Sequence, residues 1–192
     1  MVSYPYDIVV KWLWMTEMQP KTIFDIGVGD GLFGMLVRNA LEHTNGRWRQ
    51  KDRQVILAGC DIYAPYVFEQ PHLHKIYDDV VVGDIAKLIR SPNFGYYDLI
   101  HAGDVIEHLP KKRAQRVLEE IPRHCNNFIL SIPIGQEWLR YKHVSEENIF
   151  EDHQSAWSES EFRGYKKGAR AKGSMGQVNT YWWEYCSDKK SI

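Results

Sequence analysis

The sequence predicts an α/β fold: a seven-stranded, mostly parallel sheet with helices on both faces. Three observations lead there. Residues 23–31 (IFDIGVGDG) read as a short buried strand broken by three glycines at alternate positions, and helical spacing follows at once through Phe33, Leu36, Val37, Ala40 and Leu41. Farther on, short apolar runs alternate with amphipathic stretches, the order in which a parallel sheet is wound with helices. With 192 residues, 44% of them hydrophobic and 26% charged, the chain suits one domain with a substantial core.

In order along the chain, residues 5–18 place Tyr6, Val9, Trp12 and Leu13 on one helical stripe, and Pro20 closes that helix. It is expected across the sheet edge or over the mouth of the site. The helix after the glycines runs to about His43, and TNGRWRQKDR (44–53) is a solvated loop by composition. Val55–Cys60 is a second strand with Asp61 just past it, and Val80–Val82 a third, ending at Gly83 and Asp84. Asp98–His101 is the fourth, running into AGDVIEH; a helix over 111–124 follows, then a fifth strand, Phe128–Ile132, stopped by Pro133. Residues 134–157, polar and aromatic with little periodicity, are expected to cover the active site. SESEF (158–162) has the character of a helix cap, and the stretches 168–176 and 180–185 supply two last strands, paired antiparallel.

The formal net charge of −1 gives no global attraction for nucleic acid or an anionic membrane. Three cysteines (Cys60, Cys125, Cys186), odd in number and in no metal-binding pattern, suit a reduced, cytoplasmic setting. Acidic Asp7 before a short apolar stretch makes a poor signal peptide, and no run approaches the length of a membrane span.

The glycine stretch resembles the first motif of the class I methyltransferases that use S-adenosylmethionine, an acidic residue followed by Gly-x-Gly-x-Gly, here Asp25, Gly27, Gly29 and Gly31. Residues 29–34 (GDGLFG) also satisfy the Gly-x-Gly-x-x-Gly of dinucleotide-binding folds, but that register puts Gly27 inside a strand. YYDLIHAGDVIEHLP (96–110) is similar to the segment after the fourth strand in many small bacterial methyltransferases, and DHQSAWSESEF (152–162) to their His-x-x-x-Trp-x-x-x-Glu-Phe segment. The resemblance runs from about Thr22 to Phe162. It implies a Rossmann-like class I fold over 1–192 and ligand binding beyond the carboxyl ends of the strands, where strand order reverses.

S-adenosylmethionine as cofactor gives these residues tasks. Asp61 would accept from both ribose hydroxyls, with Ile62 next to it. Asp84 would accept from the adenine amine while Ile85 covers the ring. Backbone groups of the glycine turn and of Ala102–Gly103 would meet the amino acid tail. A dinucleotide reading offers no account of Asp84 or of DVIEH.

His108 and His153 are the candidate bases for deprotonating an acceptor, since an unperturbed histidine titrates near neutrality. Asp104, Glu107 and His108 stand at i, i+3 and i+4, and with His153 they offer mixed donors for a divalent ion. Similar segments occur in the methyltransferases of small-RNA 3′ ends and in ubiquinone-pathway O-methyltransferases, which usually have glutamate where this chain has Asp104. That shorter arm, and Pro110 next to the turn, argue against a metal, so activity is expected to survive chelation. The acceptor expected first is a small or sugar-like molecule. RNA, suggested by the metal-like cluster and by RGYKKGARAK (163–172), and a cofactor-binding module without catalysis are the alternatives.

Overall fold

The computed structural model describes residues 5–140, 147–173 and 176–184. Residues 141–146 of the expected covering segment, Tyr185 of the last strand and Cys186 lie outside them. The elements are α1 (Pro5–Met18), β1 (Thr22–Ile26), α2 (Leu32–Val37), β2 (Ile56–Asp61), α3 (Ala64–Glu69), α4 (Leu73–Ile76), β3 (Asp79–Val82), α5 (Ile85–Leu88), β4 (Tyr97–Gly103), α6 (Lys111–Glu120), β5 (Cys125–Ile134), β6 (Lys166–Gly173) and β7 (Gly176–Glu184).

The sheet has seven strands in the order β3-β2-β1-β4-β5-β7-β6. β1 to β5 run parallel, and β7 joins β5 and β6 antiparallel. Strand order reverses between β1 and β4, which opens a crevice at their carboxyl ends. One face is closed by α5, α6 and the segment around Trp157 and Phe162, over Phe24, Ile26, Ile100, Phe128 and Leu130. The other is closed by α1, α2 and Tyr77, over Ile23, Leu57, Leu99 and Ile129.

Two expectations are corrected. β5 does not stop at Pro133. Its last rung with β4 is Gly103–Ser131, so Pro133 lies where β5 has a neighbour on one side only, a position that tolerates a missing N–H. In α1 only part of the apolar stripe packs inward: Trp12 rests against the core, but Val9 and Leu13 are more than half exposed, while Asp7, Lys11 and Met15 are buried at i, i+4 and i+8. The two charges are tolerated there because they pair, Lys11 Nζ lying 2.8 Å from Asp7. α2 is short, but the helical path continues through a π turn (Arg38–Glu42) and a 3₁₀ turn (His43–Asn45). There Arg38 reaches Val55 O, Ile76 O and Asp78, and so ties α2 to β2 and β3.

Candidate active site

A cavity of about 260 Å³ opens at the switch point between β1 and β4. Its floor is the turn after β1. Gly27, Gly29 and Gly31 all have positive φ (76°, 50° and 87°), which side chains disfavour. A Cβ on Gly27 would lie 2.2 Å from Val105, so backbone and the loop after β4 can meet only at glycine. Gly34 also has a packing reason, because a Cβ there would stand 2.6 Å from the Tyr77 ring.

The acids after β2 and β3 face this floor. Asp61 accepts from Gly29 N at 3.0 Å and from Tyr63 N at 2.8 Å, one bond per oxygen. Each oxygen keeps a lone pair for a further donor. Burial raises the Asp61 carboxyl above the ordinary range against those two bonds. Asp84 caps α5 by accepting from Ala86 N at 2.9 Å, and it pairs with Arg113 of α6. Ile62 and Ile85 add apolar wall.

Opposite lies a 3₁₀ turn, Ile106–His108, ending at extended Leu109. Pro110 therefore limits the turn without breaking it. Asp104 ahead of it takes the left-handed backbone region (φ 53°). The segment after residue 152 is strapped over this turn: Gln154 N and Ser155 N both donate to Glu107 O, at 2.8 and 3.0 Å, and Lys111 Nζ donates to Ala156 O at 2.6 Å. Lys111 also sits over the Trp157 ring, 3.3 Å from its centroid. The strap carries His153 to His108, ring centroids 4.8 Å apart.

Ligand atoms of Glu107, His108 and His153 all lie within 4.8 Å of one another. Asp104 adjoins them and, after burial, is the main influence raising the Glu107 carboxyl well above its usual range. Burial pushes Asp104 up to about 6 and draws His108 below the ordinary imidazole value. Neither Glu107 oxygen accepts a hydrogen bond from another described residue, although both are buried. One oxygen and two nitrogen donors gathered this closely can hold a divalent ion.

Of the residues singled out in the sequence, Gly27, Gly29, Asp61, Ile62, Asp84, Ile85, Gly103, Asp104 and His108 line the cavity. Asp25, Gly31, Ala102 and His153 do not. Asp25 is turned to Tyr77 and His101, Gly31 precedes α2, Ala102 sits in the opposite core, and His153 stands behind His108. From the segment 134–157, Asn148, Phe150 and Glu151 reach the cavity, and Tyr66 joins them through Glu151 at 3.4 Å. Lys11 and His101 also line it and were missed. A lone lysine in VVKWLW and a histidine inside an apolar strand were the available signals.

In comparisons with known proteins, no protein-family model matches the sequence and no curated protein matches it. Solved structures do. The methyltransferase domain of a bacterial Hen1 aligns over 94% of this chain and 98% of its own, at TM-score 0.59 and 17% identity. The chain has the class I methyltransferase fold. The N-terminal domain of EvdMO1, with S-adenosylhomocysteine bound, covers 95% of this chain and 82% of its own at TM-score 0.64 and 8% identity. Magnesium protoporphyrin IX methyltransferase from Synechocystis PCC 6803, with S-adenosylmethionine bound, covers 92% and 76% at TM-score 0.59 and 18% identity. The class I fold accounts for the reversed β7 and for the cavity's place at the switch point. No helix among the described residues is long and apolar enough to cross a membrane.

Proposed function

We propose that the protein is an S-adenosylmethionine-dependent methyltransferase acting on an oxygen or nitrogen of a small or sugar-like acceptor. The observation that carries this reading is the meeting, at one cavity, of the positive-φ glycine turn, Asp61, Asp84 and His108. Asp61 has one lone pair open on each oxygen, which suits two ribose hydroxyls. Asp84, fixed by Ala86 N and Arg113, suits the adenine amine between Ile62 and Ile85. The sulfonium supplies an activated methyl group. The chain's own part is to align the acceptor and exclude water, effects worth up to about 7–11 kcal/mol in the best cases.

Tyr66, Leu109, Phe150 and Asn148 bound the remaining space, an apolar and aromatic enclosure suited to a small acceptor. His108, kept neutral by burial, takes the acceptor's proton, and His153 stands beside it. The basic stretch 163–172 lends RNA little support: it falls largely on the edge strand β6, where Lys166 pairs with Glu184 and Lys167 with Glu159. The buried, free thiols of Cys60 and Cys125 suit a cytoplasmic protein.

A second reading, metal-assisted transfer, is favoured by the buried Glu107 carboxyl that no other described residue satisfies. Glu107, His108 and His153 would hold the ion, with Asp104 adjoining. A divalent ion supplies Lewis acidity toward an acceptor hydroxyl. Melting curves with S-adenosylhomocysteine and with NAD test the cofactor, since a ligand of the native state raises the melting temperature. A rise with NAD alone sinks the proposal. A metabolite pool with labelled methyl donor then seeks the acceptor. Activity that survives EDTA keeps the histidine-base mechanism, and loss restored by magnesium or manganese replaces it with the second reading.

A further inference from the structure

α6 carries a charge pattern that its own stability does not explain. It opens with Lys111, Lys112 and Arg113 and has no acid in its first turn, the reverse of what the helix dipole favours. Lys111 has work in the strap beside Trp157, and Arg113 pairs with Asp84. Arg116 has no such task. It stands one turn beyond Arg113 on the same side of the helix, and with Arg90, just past α5, the two line a second cavity of about 200 Å³ between α5 and α6.

This recess shares no lining residue with the cavity at the switch point. Ile89 and Val117, each 1% exposed, give it an apolar base. Its acid, Glu120, is already engaged, because both carboxylate oxygens accept from Arg123 Nη1, at 2.9 and 2.8 Å. Neither Arg90 nor Arg116 has an ion pair with a described residue, and Arg113 commits one terminal nitrogen to Asp84. Guanidinium groups stay charged at neutral pH, so three positive forks border one recess without a free counter-charge among the described residues. Against an apolar base their field is stronger than on an open surface.

We propose that the recess between α5 and α6 binds a small phosphate anion, free or carried on a metabolite, through Arg90, Arg113 and Arg116. Guanidinium forks match phosphate oxygens two at a time, and a tetrahedral phosphate presents oxygens in several directions at once. A carboxylate has two oxygens in one plane and leaves a fork unmet. Arg113 contributes its remaining N–H groups while it keeps Asp84, so both cavities can be filled together. No aromatic ring lines the recess, which sets a small anion ahead of a nucleic-acid strand held by stacking. The site is independent of the methyltransferase reading.

Calorimetric titration at constant ionic strength in chloride, with phosphate, pyrophosphate, ribose 5-phosphate and succinate, tests this. Pyrophosphate should bind with a dissociation constant below about 1 mM, and succinate at least tenfold more weakly. Arg90→Gln and Arg116→Gln, both exposed and with no partner to lose, should keep the wild-type melting temperature and each weaken pyrophosphate about ten- to a hundredfold. Lys112→Gln, exposed on the same helix outside the recess, should stay within twofold. Ribose 5-phosphate binding more tightly than phosphate assigns the recess to a phosphorylated metabolite, and the reverse order assigns it to the free ion. Absence of binding by all three phosphates overturns the site, as does equal affinity for succinate. Equal weakening in Lys112→Gln would mean a diffuse field in place of a site. Displacement of pyrophosphate by S-adenosylhomocysteine would put the anion in the other cavity, and single-stranded RNA that binds where phosphate does not would replace the small anion with a strand.

Discussion

Replacing Asp25 by asparagine should flatten the pH dependence of stability without loosening the fold. The side chain is fully buried, and its pKa rises from 3.8 to about 8, with loss of hydration as the largest cause. A group whose folded pKa is raised contributes stability that is complete below its unfolded value and is lost as pH climbs through the folded value. For Asp25 that window runs from about pH 4 to 8. Its lower part is shared with His101 and His108, both held below the ordinary 6.5, whose contributions have the opposite sign. Those imidazoles, and the Glu107 carboxyl that burial also raises, titrate in both proteins, so the difference between wild type and Asp25→Asn over pH 6.5 to 8 isolates the Asp25 carboxyl. One proton is worth about 1.4 kcal/mol per pH unit, a slope that halves as pH reaches the pKa. Asp25 therefore accounts for stability lost on the order of 1–2 kcal/mol over that interval. Asparagine mimics the protonated acid: its amide can donate to His101 Nδ1 and its carbonyl can accept from Tyr77. Urea unfolding of both proteins from pH 6.5 to 8 should show the wild type losing that much more than Asp25→Asn. Parallel curves would mean that Asp25 is ionised in the native protein and that the Tyr77–Asp25–His101 chain runs the other way.

Three further perturbations have signed outcomes. Asp61→Ala should weaken S-adenosylhomocysteine about ten- to a hundredfold by calorimetry, since a charge-assisted contact is worth roughly 1.5–3 kcal/mol; unchanged affinity in a folded variant would remove Asp61 from the site. Gly34→Ala should lower the urea midpoint by an equivalent of about 1–3 kcal/mol, because a Cβ 2.6 Å from Tyr77 must displace a buried ring, and a neutral result would show that the ring can yield. Glu107→Gln in metal-free buffer should be more stable than wild type at pH 8, since a carboxyl raised well above 4.5 loses its contribution as pH rises; added manganese that stabilises only the wild type would identify a metal ligand instead.

The fold was legible because its signals are local. The glycine turn needs positive φ, each parallel strand is a short apolar run, and the acids stand directly after β2 and β3. The parts missed depend on what lies opposite in space. Lys11 looks like the solvated side of α1 until Asp7 and Ser131 are seen around it, and Val9 and Leu13 then become the outside. His101 interrupts no pattern in β4, and its partner Asp25, which Tyr77 holds from its other oxygen, lies 76 residues away in the chain. Pro133 looked like a stop because the loss of a neighbour on one edge of β5 cannot be read from the strand itself.

The strap over the 3₁₀ turn has a consequence for how such a site can change. Gln154 and Ser155 grip Glu107 through their main-chain N–H groups and its carbonyl, and the Ser155 hydroxyl and Lys111 brace the same seam. Immediately before that seam, Asn148, Phe150 and Glu151 hang over the cavity and make no contribution to the seam. The architecture thus separates a fixed clasp from an exchangeable fringe. Residues 148–151 can be rewritten for a differently shaped guest while the histidine pair keeps its spacing, and a library randomised over those few positions alone is the economical route to a new acceptor.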